Sequence, residues 1–293
     1  MSNSIHRAIS QDGSVVASAI DATDLVNQIE KFHHPSAVVT AALGRLAIAA
    51  SLMGYGQKNE EDRLTIRIDG DGAIGSMIAV ADSHGNVKCC ADQYIVEIPL
   101  NSKNKLDVGG AVGTGTLSVI KDLGLKEPYV GTIPLVSGEI AEDLANYYAT
   151  SEQIPTVLSL GVLVAPDLTV QHAGGFLIQL LPFADEACIP VLEQNLANMP
   201  SFTQMLSDGM TADEIALRCL DGLTPNLLDS AQANYVCDCS RERTSKILIS
   251  IGREELQNLA DTQETIEVCC HFCDKKYQFT PKEILSLIDP DSN

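Results

Sequence analysis

Cys237-Asp-Cys239 and Cys270-His-Phe-Cys273 are two tight thiol pairs with thirty residues between them, in a chain of 293 residues that holds nine cysteines. Zinc takes four tetrahedral ligands, and two short knuckles brought together supply four thiolates without strain. The pattern predicts one Zn2+ per chain on Cys237, Cys239, Cys270 and Cys273. Four thiolates leave no open position for water or substrate, so catalysis by the metal is not expected. Two roles stay open on spacing alone. The metal is a permanent staple, or it is a switch, because thiolates are also the form that oxidants attack. Each pair has a short loop and can close on itself as a disulfide. Oxidation would then eject the metal and remove about 10–16 kcal/mol of folding free energy.

Cys269 competes with Cys270 for the metal. Adjacent side chains on a strand point to opposite faces, so only one of the two can reach it. Cys270 makes the usual C-x-x-C spacing with Cys273 and is the assigned ligand. The second pair lies between strand-like segments at 265–268 and 277–279, as in a knuckle hairpin. Ser240 is placed to cap a helix running through 246–251, and Pro281 suits the first turn of a last helix carrying Ile284, Leu285 and Ile288. A unit of this size buries too little apolar surface to fold alone and needs a staple.

The rest of the chain reads as an α+β core, residues 1–182, followed by a helical linker, 183–232, and the small zinc-binding domain, 233–293. Eighteen of the 21 glycines lie before residue 180, so composition changes there. Residues 64–69 alternate apolar and polar, the mark of a half-buried strand. Segments 76–81 and 87–91 flank a turn at 82–86 and suggest a hairpin. Further strands are predicted at 94–98, 117–121, 130–136, 157–164 and 176–181. Helices are predicted around Leu25, Val26, Ile29 and Phe32, capped by Thr23 or Asp24, and at 37–53 and 139–149. The order lacks the regular alternation of a parallel sheet, which favours a mixed or antiparallel one. From Phe183 to Asp229, Pro190, Pro200 and Pro225 cut the pattern into short helices. Their apolar stripes are Val191, Leu192, Leu196 and Met199; Phe202, Met205 and Leu206; and Ile215, Leu217 and Leu220.

Composition excludes several classes. Nineteen basic residues against 39 acidic ones give a formal charge of -20, which opposes nucleic-acid binding. From Tyr235 onward the balance is 7 to 11, against a zinc-ribbon nucleic-acid binder. The N-terminal residues lack a secretory signal. The most apolar segment, 37–53, is broken by Arg45 and falls short of the ~20 residues of a membrane span. A cytoplasmic protein without a membrane partner is expected, where thiols stay reduced. Gly70-Asp-Gly-Ala-Ile-Gly75 fits a dinucleotide fingerprint, making an enzyme using Gly70, Gly72 and Gly75 the alternative function. A turn at 82–86 arrives too soon for the helix that motif needs. Residues 109–115 form another glycine-rich turn without the lysine of a phosphate loop. His33, His34 and His271 read as non-ligands, and Cys89, Cys90, Cys188 and Cys219 as buried inert thiols. No nucleophile elbow or His-Glu-x-x-His motif occurs, and the chain is not expected to be an enzyme.

Several motifs in one order make the pattern more specific. Cys237-Asp-Cys-Ser-Arg-Glu-Arg243 and Val268-Cys-Cys-His-Phe-Cys-Asp-Lys-Lys-Tyr-Gln-Phe279 follow Ala111-Val-Gly-Thr-Gly-Thr-Leu-Ser-Val-Ile-Lys-Asp-Leu-Gly124, Ser137-Gly-Glu-Ile-Ala-Glu-Asp143 and Ser151-Glu-Gln-Ile-Pro155. With these the chain resembles, over nearly its whole length, the 33-kDa chaperonin family of redox-regulated bacterial holdases. The resemblance implies an ATP-independent chaperone, inactive while reduced and zinc-bound. Peroxide with heat or another unfolding stress would turn it on. It implies Cys237–Cys239 and Cys270–Cys273 disulfides in the oxidised form, an active homodimer, and capture of unfolding client proteins for later refolding. Cys269 departs from the family, which opens a Cys269–Cys273 bond or thiol exchange. The linker stripes would cover apolar surface while the zinc domain is folded. Their release would make 191–220 a client-binding surface, because helices this short are marginal unless packed.

Overall fold

A computed structural model describes residues 3–182 and 184–288, with Ile288 in backbone only. Phe183, where the linker is expected to begin, and the side chain of Ile288 lie outside the described residues. The chain divides into two compact units, one through Val236 and one from Cys237 onward.

The first unit is α+β, with two antiparallel five-stranded sheets. One sheet holds β1 (Ser4–Ile9), β2 (Val15–Asp21), β8 (Thr156–Val164), β9 (Val170–Leu180) and β10 (Asn226–Gln232), in the order β10-β1-β2-β9-β8. The other holds β3 (Arg63–Gly70), β4 (Ser76–Asp82), β5 (Val87–Ala91), β6 (Gly115–Asp122) and β7 (Tyr129–Pro134), in the order β5-β4-β3-β6-β7. Helix α2 (Ala37–Tyr55) runs between the two sheets. It is 19 residues long and apolar enough by composition to cross a membrane, but 89% of that stretch is buried inside the protein. Burial on every side explains its uniform apolarity. Arg45, the one charge in it, pairs with Glu139. Helix α1 (Thr23–His33) packs beside it.

The first sheet is covered on both faces. Ile5, Ile20 and Leu177 face α1 and α2. Ala8, Val15, Ala17, Ala19, Phe176 and Ile178 face the opposite way, toward α5 (Cys188–Ala197), α6 (Phe202–Ser207) and α7 (Ala212–Cys219). The linker stripes therefore form one side of a second core cluster. Phe202, Met205, Ile215 and Leu220 are fully enclosed, Leu192 and Leu206 are buried, and Leu196, Met199 and Leu217 pack partly against them. Val191 is half-buried at the edge, beside Gly222.

Several expectations change. Residues 94–98 are loop, not strand. Tyr94 accepts from Ser36 N at 2.9 Å and Ser36 Oγ exchanges hydrogen bonds with Val96, so this loop closes the start of α2. Neither Thr23 nor Asp24 caps α1; Ala22 holds that position, and Asn3 Oδ1 accepts from Leu25 N at 2.8 Å. The helical reading of 183–229 fails at its end, where 226–232 form an edge strand on β1. The predicted helix 139–149 shortens to α4 (Ala141–Tyr147), followed by a wider turn. Cys90 is only half-buried, whereas Cys89, Cys188 and Cys219 are enclosed and burial raises their thiols, Cys219 to about 12.

The glycines at 70–75 serve packing. β3 runs into β4 through a tight turn, and a Cβ on Gly70 or Gly72 would strike the carbonyls of Val112 and Ala111 in α3 (Val108–Val112). No crossover helix follows, so the dinucleotide alternative has no structural basis.

The motif at 137–143 is built around a buried carboxylate. Asp143 accepts from the backbone N–H groups of Val136, Ser137, Gly138 and Ile140 at 2.6, 3.0, 3.4 and 3.0 Å. These bonds hold Ile140 at a positive φ of 66°, a conformation costly for a β-branched residue. Asp143→Ala is expected to destabilise the first unit by about 3 kcal/mol or more, since several buried donors lose their acceptor. Urea unfolding followed by circular dichroism measures this; a loss below 1 kcal/mol would show that the carboxylate does not organise the loop.

Candidate metal centre

The second unit is small. Its apolar core consists of Leu248, Leu256, Ile266, Tyr277, Phe279 and Ile284, with Leu259, Val268 and Leu287 packed partly against it. Helix α8 (Arg241–Ser250) starts at Ser240, whose Oγ accepts from Arg243 N at 3.1 Å, as its sequence position predicts. Gly252, at φ 100°, breaks the chain before α9 (Arg253–Thr262). Strands β11 (Ile266–Cys269) and β12 (Lys276–Phe279) pair antiparallel, and α10 (Pro281–Ile288) closes the unit. Leu285, expected on the apolar stripe of α10, is exposed; Ile284 and Leu287 face the core instead.

Both knuckles present their sulfurs to one point. The second turns tightly as Cys273 N and Asp274 N donate to Cys270 O at 3.3 and 2.9 Å. Sγ atoms of Cys237, Cys239, Cys270 and Cys273 all lie within 4.8 Å of one another. The shortest approaches link one knuckle to the other, Cys237 to Cys270 at 3.6 Å and Cys239 to Cys273 at 3.5 Å. A tetrahedral ion with metal–sulfur bonds of about 2.3 Å requires sulfur separations of about 3.8 Å, so the donor set fits. All four thiols are free and half-buried. Cys269 is exposed, on the outward face of β11, with its sulfur 3.9 Å from Asp274 Oδ1. Of the two neighbours, Cys270 converges with the other three sulfurs and Cys269 does not.

Two of the sulfurs resist charging by themselves. Burial raises the Cys237 thiol and lifts that of Cys273 to about 11. Burial acts the same way on Cys239, but the Tyr277 hydroxyl, donating to its sulfur at 3.1 Å, helps draw its pKa below the ordinary value. Thiolates crowded together call for a cation, and this four-cysteine cluster can hold a metal ion.

Other residues of the two motifs support the knuckles. Arg243 pairs with Asp238 inside the first. Arg241 stacks on Phe279 at 4.2 Å, donates to Gln278 O at 2.8 Å and pairs with Glu283 at 2.7 Å. Tyr277 was legible only as a strand residue; its clue is alternation, which turns 277 and 279 inward toward the sulfurs and the core. Outer-shell partners of this kind typically shift metal affinity by about 10–100-fold. Tyr277→Phe is therefore expected to lower zinc affinity about tenfold, read by competition with a chromogenic chelator. Unchanged affinity would reduce Tyr277 to a packing residue.

No other metal-type cluster occurs among the described residues. His33 is buried and stacked on Tyr94 at 4.5 Å, while His34 and His271 are exposed.

Comparison with known proteins agrees with this architecture. The family described as Hsp33 protein matches residues 3–280. The 33 kDa chaperonin of Lachnoclostridium phytofermentans is 46% identical over 98% of this chain and 99% of its own length. That of Clostridioides difficile is 45% identical over 98% and 99%. The crystal structure of the 33 kDa chaperonin of Thermotoga maritima superposes with a TM-score of 0.91 at 35% identity, covering 98% of both chains. Sequence and fold agree across both units, and the chain belongs to the Hsp33 family.

Proposed function

We propose that the chain is a redox-switched, ATP-independent holdase, a chaperone that binds unfolding proteins and is not an enzyme. The carrying observation is the convergence of four thiols in a unit whose core, among the described residues, holds six buried apolar side chains. So small a core depends on its staple. In the resting form Cys237, Cys239, Cys270 and Cys273 are the ligands of one Zn2+. The ion supplies a positive charge that keeps four crowded sulfurs as thiolates.

Peroxide converts one thiolate of each pair to a sulfenic acid with release of hydroxide. The neighbouring thiolate then displaces a second hydroxide as the S–S bond forms. Two peroxides thus turn four thiolates into two disulfides and leave the zinc without ligands. Cys237–Cys239 and Cys270–Cys273 are the proposed pairs, because each stays close along the chain after the knuckles separate. Cys269 is the thiol placed to trap Cys273 instead.

The division of labour follows the chain. Residues 1–182 form the core and 183–232 a linker whose stripes, from Val191 to Leu220, bind clients once uncovered, together with the sheet face beneath them. The family resemblance supports a homodimeric active form and a cytoplasmic setting. Treatment with peroxide at elevated temperature tests the proposal, with zinc release and suppression of client aggregation followed together. Coincident zinc loss and chaperone gain is expected. Full activity in the reduced, zinc-loaded protein would instead mean a constitutive binder with a structural metal.

A further inference from the structure

Strand β5 is an edge of its sheet, and an edge exposes a row of backbone groups ready to pair with another chain. Alternate residues Val87, Cys89 and Ala91 turn their N–H and C=O groups away from β4. In the first unit these groups are occupied. Val87 N donates to Asn234 O at 2.9 Å, and Val87 O accepts from Val236 N at 3.0 Å. Residues 234–236 thus lie along the edge as a short parallel strand, bridged at Val87 and Tyr235. The Tyr235 hydroxyl then serves Cys89 at both ends, accepting from its N–H at 3.2 Å and donating to its carbonyl at 2.9 Å. Ala91 N donates to the Tyr94 hydroxyl at 3.4 Å. The Tyr235 ring sits 5.2 Å from that of Phe32.

This cover is short, and its ends are open to solvent although Asn234 N also donates to Asn86 Oδ1 at 3.1 Å. Asn234 is exposed and Val236 is 47% exposed, whereas Val87 and Cys89 beneath them are fully buried. Its next residue is Cys237, the first member of the sulfur cluster.

We propose that residues 234–236 guard the β5 edge. When the unit beyond them unfolds, the guard leaves, and the edge takes up an extended, aromatic-bearing segment of a non-native polypeptide by strand addition. The present occupant defines what fits: a parallel extended backbone bonding at Val87, with an aromatic ring in the Tyr235 seat beside Phe32 and Cys89. The proposal rests on the switch reading above and adds to it a binding mode and a site.

The test uses the full-length protein, reduced and zinc-loaded or oxidised and zinc-free. The probe is a fluorescent octapeptide of alternating Val and Thr with a central Tyr. Two relatives carry N-methyl groups on one or the other alternate set of backbone amides, leaving the side chains intact. The oxidised protein is expected to bind the parent peptide, and the relative methylated at the amide that donates to Val87 O should bind about fivefold more weakly or worse, since that hydrogen bond is lost. Hydrogen exchange at the Val87 and Cys89 amides should be slow in the reduced protein, fast after oxidation, and slow again with peptide bound. Tyr235→Phe keeps the ring and removes both bonds to Cys89, so exchange at Cys89 in the reduced variant should rise about fivefold. Equal binding of all three peptides, or Val87 and Cys89 amides that stay protected while client aggregation is suppressed, overturns the guard alone. Loss of zinc without any suppression of client aggregation overturns the switch reading on which it stands.

Discussion

Cys270→Ser is expected to yield a chain whose two sheets stay folded, whose residues beyond Val236 unfold and whose α5–α7 loosen, and which captures unfolding proteins without oxidant. Three sulfurs cannot complete the tetrahedral site, and zinc bound to such knuckles contributes about 10–16 kcal/mol to folding. Among the described residues little replaces that: six buried apolar side chains and a pair of four-residue strands are too few to hold some fifty residues. The two sheets should be spared, because the cluster between them is complete within the first unit, whereas α5–α7 should loosen from the outer face of their sheet. Metal content, amide exchange across 237–288 and client aggregation, measured on one sample, decide the matter. A zinc-free variant that keeps its second unit folded would show that the metal is not the staple.

The second large effect concerns the cover itself. Replacing Leu196, Phe202 and Leu206 with Ser should loosen α5 and α6 from the sheet while leaving the sulfurs untouched. Phe202 is 1% exposed and lies against Phe176, ring centroids 6.3 Å apart. Removing a ring so enclosed costs about 3–5 kcal/mol, more than six- and eight-residue helices such as α6 and α7 can recover from propensity. The variant is expected to retain zinc and to bind clients while reduced. A folded, zinc-bound variant that stays inactive would argue that the surface beneath the helices is not the binding surface.

The four-cysteine cluster was the most legible part of the chain because its chemistry is local. Two knuckles, a Ser240 cap and a hairpin are short-range signals, and the C-x-x-C spacing pointed to Cys270, which joins the cluster. The second sheet was also readable, since β3, β4 and β6 alternate buried and exposed residues. The first sheet was not. Apolar or small residues occupy both faces of β2, so it carries little alternation to detect. Strand β10, Asn-Leu-Leu-Asp-Ser-Ala-Gln, has no β-branched residue; pairing with β1 and the Arg7–Asp229 ion pair make it a strand. The loop at 94–98 looked like a strand because Tyr94, Ile95, Val96 and Ile98 are strand-forming residue types, yet Ile95 is 68% exposed and backbone groups of Tyr94 and Val96 bond to Ser36. Tyr235 and Tyr277 could not be singled out, since each acts through a partner distant in sequence, Cys89 or Cys239.

The central claim is that losing the metal uncovers the face now hidden by α5–α7. Pulsed hydrogen exchange along 188–219 during oxidation reads that event directly, with zinc release and client capture followed in the same sample. Exchange in this stretch should rise once zinc has left and before or together with client capture. Zinc departure and client capture with 188–219 still as protected as in the reduced protein would contradict the claim.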